Sequence, residues 1–399
     1  MENRFYKWAD HEKGVIKGHE MNKRVLPYYD DAWRIINALT YPQAKNNIPY
    51  PKMAYIYPTY QCSLYCKNCI YKDHIKESQK NDTLDMDLEL FKTILADLSS
   101  LGVMNVELCG GGEPLEHSNI NELIEVVLEF RRNKGMNFGI LTNGQNISRL
   151  DENTVKLLLE CFAYIRLSFS EKASYNRRVR EEYFNNLTQL LEYKKKNKKK
   201  NNKLMAIVGS KLLLTSKNKD ELMETVSELL DLGVEHLKVK SIRSQEDEPS
   251  FEDLIEVGEE LRSLKSEKSA NDILQVDLGK TVYPEGFKCW INPLSVTIDP
   301  YGGIYICYNF HNDPENMMIG KYNRKNSLAD FWGKIEHVEK IRNINTKLVC
   351  ESDTSCNCRY ADYQKTMEEL FRERKSSKSK DASGENNISP ESKRINKFL

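Results

Sequence analysis

The sequence predicts an α/β fold: a parallel sheet of six strands curled into a partial (β/α)6 barrel, followed by a small α+β domain built on a β-hairpin. Three observations carry this. Six short runs of aliphatic, aromatic and β-branched residues alternate with stretches of helical periodicity. Two alternating segments flank Pro300 and Gly303 near the C-terminus, the pattern of a hairpin. A chain of 399 residues also exceeds one compact core and suits a barrel of about 200 residues plus a smaller unit.

In chain order, residues 1–50 form an N-terminal extension with a helix expected around residues 31–39 and little room for an independent domain. The barrel is expected over residues 51–250, with strands at 53–58, 106–109, 137–141, 164–169, 211–214 and 236–240. Between them, Leu84, Leu88, Phe91, Leu95 and Leu98 recur at helical spacing. Leu123, Val126, Val127 and Phe130 repeat the pattern, as do Leu222, Val226, Leu229 and Leu230. Strands alternating with helices imply right-handed crossovers and a ligand site at the C-terminal edge of the sheet. The lysine-rich run at 194–203 reads as a solvated loop before the fifth strand, and with no aromatic residue in it nucleic acid is not the expected partner. Residues 251–280 read as a linker with a helix, 281–370 as the small domain, and 376–399 as a disordered tail rich in Ser, Lys, Asn and Glu.

Cys62, Cys66 and Cys69, spaced C-x3-C-x2-C, leave the C-terminal end of the first strand. Three thiolates can hold three irons of a four-iron cluster whose usual set is four protein ligands, which leaves one iron open to a substrate or cofactor. A tetrahedral zinc site is the competing reading, with His74 as the nearest fourth ligand. The second strand runs straight into Gly110, Gly111, Gly112, Glu113 and Pro114. Glycines let the backbone approach a ligand and offer it their amide and carbonyl groups, although a plain strand-to-helix turn also uses glycine.

Taken together, the cysteine triplet and Gly111-Gly112-Glu113-Pro114 downstream of it resemble the radical S-adenosylmethionine (radical SAM) enzyme superfamily. The resemblance implies a TIM-like partial barrel and a [4Fe-4S] cluster with an open iron on Cys62, Cys66 and Cys69. It also implies S-adenosyl-L-methionine held at its methionyl amino group by Gly111, Gly112 and Glu113. A branched side chain at Gly112 is expected to intrude on that methionyl group. Asn143, in the Asn-Gly turn ending the third strand, and Ser168, ending the fourth, fall where family members contact the cofactor. Asn143 also has a plain turn reading. Arg166 and Lys211, inside strands, can offer charge to a carboxylate or snorkel to solvent.

Near the C-terminus, Cys289-x12-Gly302-x4-Cys307 resembles the opening of the SPASM/twitch extension of that superfamily, continued by Ile319-Gly320 and Phe331-Trp332. Cys350, Cys356 and Cys358 come next. The resemblance implies one auxiliary [4Fe-4S] cluster, ligated by Cys289, Cys307 and two of those last three. The full SPASM pattern has seven cysteines where this region has five. In sulfatase-maturing relatives an Asp follows the second of these cysteines and serves as base, whereas Tyr308 stands here. Cys109 and Cys161 read as core residues.

Lys and Arg total 59 against 59 Asp and Glu, so no net field selects nucleic acid or an anionic membrane. No apolar run approaches the roughly 18 residues of a membrane span, and residues 1–10 lack a signal-peptide core. The expected location is therefore cytoplasmic, where ten cysteines are better used on metal than in disulfides. The expected partners are a low-potential electron donor such as flavodoxin or ferredoxin and a polar small-molecule substrate such as an amino sugar. The alternative substrate is a ribosomally made peptide, although no leader-binding domain of about 80 residues is evident. A zinc-stabilised binding protein is the reading outside enzymes.

Overall fold

A computed structural model describes residues 29–40, 48–80, 84–201, 205–242, 246–278, 289–290, 292–344, 367 and 371–372. Its centre is one ten-stranded sheet. Strands β1 (Met53–Ile56), β2 (Asn105–Leu108), β3 (Asn137–Thr142), β4 (Tyr164–Ser168), β5 (Ile207–Leu214), β6 (His236–Ser241) and β7 (Leu274–Asp277) lie side by side and parallel. On the other side of β1, strand β8 (Ser295–Ile298) pairs parallel. Strands β9 (Gly303–Tyr305) and β10 (Met318–Lys321) then continue the sheet antiparallel.

Each parallel crossover is helical, as the periodicity predicts. Leu88–Ser100 buries Phe91, Ile94, Leu95 and Leu98 and starts on Asp87, whose carboxylate accepts from the Leu90 amide. Ile120–Lys134 stops at Gly135, whose positive φ of 68° suits a residue without Cβ. The helices cover one face of the sheet, where Ile56, Val106, Leu108, Phe138, Ile140, Ile165, Leu167, Val208, Leu237 and Val239 are buried. Full burial of each such side chain contributes about 1.5–3 kcal/mol. Cys109 and Cys161 are buried as expected.

Residues that pair in register share a face, and the opposite face is polar. It runs through Tyr55, Glu107, Gly139 and Tyr164 to Arg166, Lys211, Lys238 and Asp277. Tyr164 crosses from β4 to donate to Glu107 on β2. Gly139 between them makes the crossing possible, since a Cβ there would lie 2.2 Å from the Tyr164 ring.

The structure departs from the sequence reading in three places. The segment 251–280 contains, besides the helix Phe251–Glu267, the parallel strand β7, whose four residues are too short for a clear alternation. The hairpin extends the barrel sheet through β8, and Asp97 of the helix Leu88–Ser100 fastens the segment after β10 to the barrel. That carboxylate accepts from Tyr322 Oη, Ser327 Oγ and the Leu328 amide at 2.8, 2.6 and 2.8 Å. The lysine run is not a loop as far as Asn201, because the helix Arg177–Asn201 passes through it. Lysine is a good helix former, and Lys194 bonds the Ala206 carbonyl and Glu235 instead of facing solvent.

Candidate functional site

The cysteine loop and the glycine motif are joined by backbone before any side chain is considered. The Gly112 amide donates to the Thr59 carbonyl at 2.8 Å and the Glu113 amide to the Gln61 carbonyl at 2.7 Å, immediately ahead of Cys62. This seam explains the glycines. A Cβ on Gly112 would stand 2.2 Å from the Gln61 carbonyl oxygen, and one on Gly111 2.6 Å from the Tyr60 ring. The expected intrusion of a Gly112 side chain on a methionyl group therefore gives way to a nearer reason: the side chain would first push the motif off the root of the cysteine loop.

Glu113 ties the motif to β3. Its Oε1 accepts from Thr142 Oγ1 at 2.5 Å and from the Leu115 amide at 3.0 Å, and its Oε2 from the Asn143 amide at 2.5 Å. Burial pushes its pKa up to about 7 against these three donors. The carboxylate is thus engaged within the protein, as is the backbone amide of the same residue. Asn143 lies beside it with its turn role visible, Oδ1 accepting from the Gln145 amide at 2.9 Å. Its buried Nδ2 has no partner among the described residues, a donor that a ligand would satisfy. Ser168 is half-buried at the end of β4, in register with Lys211.

Cys62, Cys66 and Cys69 are half-buried. Burial pushes the Cys62 thiol up to about 12 and also raises Cys69, so cation binding at this loop releases protons. Two neighbouring segments hold the cysteine loop in place. Lys172, after β4, donates to the Leu64 carbonyl at 3.2 Å. After β6, Asp247 accepts from Asn68 at 2.9 Å, while Glu246 pairs with Lys67 at 2.7 Å. Burial pushes the pKa of His74, the candidate fourth zinc ligand, down, and its ring stacks on Tyr60 with centroids 5.9 Å apart. Among the described residues no three His, Cys, Asp or Glu side chains are grouped to hold a single metal ion. A four-iron cluster instead takes one thiolate per iron. Three thiols on a braced loop, with the orphaned Asn143 amide donor beyond Glu113, fit such a cluster and a zwitterionic ligand.

Cys307 is half-buried and comes after β9, and its Sγ accepts from the Asn309 amide at 3.4 Å. The next carbonyl, of Tyr308, meets Tyr57 Oη at 3.4 Å and Tyr71 Oη at 3.2 Å, with the two hydroxyls 2.7 Å apart. Each hydroxyl has one proton, so one donates to the other and the second to the carbonyl. Tyr71 stands two residues after Cys69, and this contact brings the Cys307 segment beside the first cysteine loop. Cys289 is half-buried next to the buried Trp290. Cys350, Cys356 and Cys358 lie outside the described residues. Sequence reasoning missed Asp247, Tyr71, Lys238 and Lys240. Only the last two carry a local signal, alternating lysines in a strand.

A family model of the radical SAM superfamily matches residues 56–229. No curated protein sequence matches the chain. Among solved structures, Streptococcus suis SuiB bound to S-adenosylmethionine is similar, with a TM-score of 0.55 and 18% identity over 80% of this chain and 75% of that one. SuiB bound to the precursor peptide SuiA gives 0.55 and 17% over 82% and 76%. Native anSMEcpe with bound AdoMet gives 0.53 and 14% over 84% and 100%.

Proposed function

Residues 56–229 make this chain an enzyme of the radical SAM superfamily, and from that premise we propose that it takes hydrogen from an unactivated C–H bond of a polar substrate enclosed by the barrel. The superfamily implies a [4Fe-4S] cluster and S-adenosylmethionine. When bound, the pair supplies one-electron cleavage of the sulfonium and a 5′-deoxyadenosyl radical. Cys62, Cys66 and Cys69 would hold the cluster, and the backbone of Gly111, Gly112 and Glu113, with Asn143 and Ser168, the cofactor. The observation that carries this reading is the seam at Thr59–Gln61, which fixes the glycine motif against the root of the cysteine loop.

The chain's own residues then have defined work. Glu113 holds the ends of β2 and β3 together, Asp247 braces the loop from the other side, and the polar sheet face receives the substrate away from bulk water. A second centre at Cys289 and Cys307, completed by two of Cys350, Cys356 and Cys358, would accept the electron left on the substrate and make the net reaction an oxidation. Tyr308 cannot act as the carboxylate base of sulfatase-maturing relatives, since it is a phenol whose carbonyl is bonded to the tyrosine pair. A low-potential donor such as flavodoxin or ferredoxin would supply the first electron.

For the substrate, a polar small molecule is supported by the charged inner face. A peptide is the second reading, supported by the likeness to SuiB, which has been solved with its precursor peptide SuiA. Incubating the reconstituted enzyme with SAM, reductant and deuterated candidates of both classes tests this. Deuterium in 5′-deoxyadenosine identifies the substrate, and cofactor cleavage that no candidate labels or accelerates rejects both classes.

A further inference from the structure

Cys307 opens a β-turn closed by the Phe310 amide, which donates to the Cys307 carbonyl at 3.2 Å. At the centre of this turn lies the peptide unit between Tyr308 and Asn309, and both of its ends are bonded. Its carbonyl, on Tyr308, meets Tyr71 Oη at 3.2 Å and Tyr57 Oη at 3.4 Å. Its amide, on Asn309, donates to Cys307 Sγ at 3.4 Å.

The central peptide of a β-turn is the part that turn types I and II orient oppositely. Asn309, at φ −88° and ψ 22°, has the type I geometry. Type II needs positive φ at that position, which asparagine tolerates, so the turn sequence does not by itself select the orientation. The tyrosines do. In the opposite orientation the carbonyl would leave the two hydroxyls and the amide would leave the thiol. Tyr57 is 1% exposed, and a buried polar group left without a partner costs about 1–3 kcal/mol. Burial also holds the pKa of the Tyr57 phenol well above its ordinary value, so the hydroxyl stays a donor. Tyr57 follows β1 and Tyr71 stands two residues after Cys69. The orientation of the amide at Cys307 is thus set from the loop of the other three cysteines.

We propose that Tyr57 and Tyr71 are positioning residues that act through the Tyr308–Asn309 peptide to hold an N–H on the Cys307 sulfur, and that this hydrogen bond raises the reduction potential of an iron–sulfur centre ligated by Cys307. This rests on the reading of Cys307 as a ligand of the second centre. Hydrogen bonds to ligand sulfurs are among the factors that set cluster potentials, because the positive end of the donor stabilises the more negative, reduced form. The bonds from hydroxyl to carbonyl and from amide to sulfur stand in series, so each polarises the next. The centre is thereby tuned as an acceptor. The substrate radical loses one electron and the centre gains it.

The test measures the midpoint potential of each centre in reconstituted full-length protein, by redox titration followed with EPR. Tyr57→Phe/Tyr71→Phe keeps both rings and removes both hydroxyls. It is expected to lower the reduction equilibrium of the Cys307 centre about tenfold, a shift of about 59 mV toward negative potential for one electron. Iron content and the potential of the centre at Cys62, Cys66 and Cys69 should not move. Tyr71→Phe alone should give a smaller shift, because Tyr57 Oη remains within reach of the carbonyl. An unchanged potential in the double variant overturns the proposal, as does an equal shift of both centres, which would assign the tyrosines to packing alone. Pulsed EPR of the unmodified protein labelled with 15N-asparagine needs no variant to fold. A coupled amide nitrogen on the second centre supports the hydrogen bond, and its absence overturns the proposal. A parent holding only about four irons refutes the second centre and the proposal with it, whereas 5′-deoxyadenosine formation, assayed separately, reports on the radical reading itself.

Discussion

Asp247 accepts a hydrogen bond at 2.9 Å from Asn68, the residue immediately before Cys69, so the loop after β6 holds the cysteine loop of β1 from across the sheet. The carboxylate is 3% exposed and also meets Lys217 and, at 3.6 Å, Lys67. Hydrogen bonds from Asn68 and Lys217 depress its pKa to about 2.

Asp247→Ala should therefore loosen the cysteine loop. Deleting hydrogen bonds to a charged group costs about 1.5–3 kcal/mol, and Lys217 loses its carboxylate partner while Lys67 keeps Glu246. Iron loss to a chelator is expected to accelerate several-fold. Asp247's contribution to stability is fully present above about pH 4, the usual range for Asp, and is lost as pH falls through 2. Denaturant unfolding of the parent and variant at pH 7 and at pH 2.5 checks this, and the difference between them should shrink at the lower pH.

Glu113 predicts the opposite slope. Its pKa is raised from 4.5 to about 7, so the buried acid favours the folded state at low pH, and that contribution is lost as pH rises from 4.5 through 7. Glu113→Gln should flatten this part of the stability profile. It should also cost about 1–3 kcal/mol, because the amide NH2 puts a donor where the carboxylate had accepted, facing at least one of the three donors. Unfolding curves at pH 5 and pH 8 give both numbers.

Gly112→Ala should impair both halves of the site together. The added Cβ would meet the Gln61 carbonyl, so the seam at Thr59–Gln61 must open. Iron content after reconstitution and SAM affinity are expected to fall in parallel. Loss of SAM binding with iron intact would mean that the glycine only clears space for the cofactor.

The proposed auxiliary centre makes a stoichiometric prediction. One cluster takes at most four thiolates and the region offers five cysteines, so the parent should hold about eight irons in two four-iron clusters. Cys289→Ala and Cys307→Ala should each bring the content toward about four. One of Cys350, Cys356 and Cys358 should be dispensable. A parent value near twelve, equivalent to three clusters, would refute the single auxiliary centre.

Local signals made much of this legible from sequence. The cysteine triplet and Gly111-Gly112-Glu113 are contiguous, and six strands announced themselves by composition. What stayed hidden depends on distance along the chain. Asn68 and Asp247 are 179 positions apart, and neither residue type signals a clamp. Tyr57, Tyr71 and Tyr308 meet only because β8 pairs with β1, a register that no local pattern encodes. The basic residues of the polar face were partly legible in the alternating Lys238 and Lys240, but not that Lys211 stands opposite Lys238. The lysine run misled because polarity was read as loop, although lysine propagates a helix once the apolar face of Arg177–Asn201 is anchored.

In the reading proposed, Cys62, Cys66 and Cys69 hold a cluster at which SAM is cleaved. Its most direct measurement is 5′-deoxyadenosine formed from SAM by anaerobically reconstituted, dithionite-reduced protein, compared with the Cys62→Ala/Cys66→Ala/Cys69→Ala triple variant. The parent should form it and the variant should form none while retaining any iron held at the proposed centre of Cys289 and Cys307. Equal 5′-deoxyadenosine from both proteins, or none from an iron-loaded parent, would contradict the account.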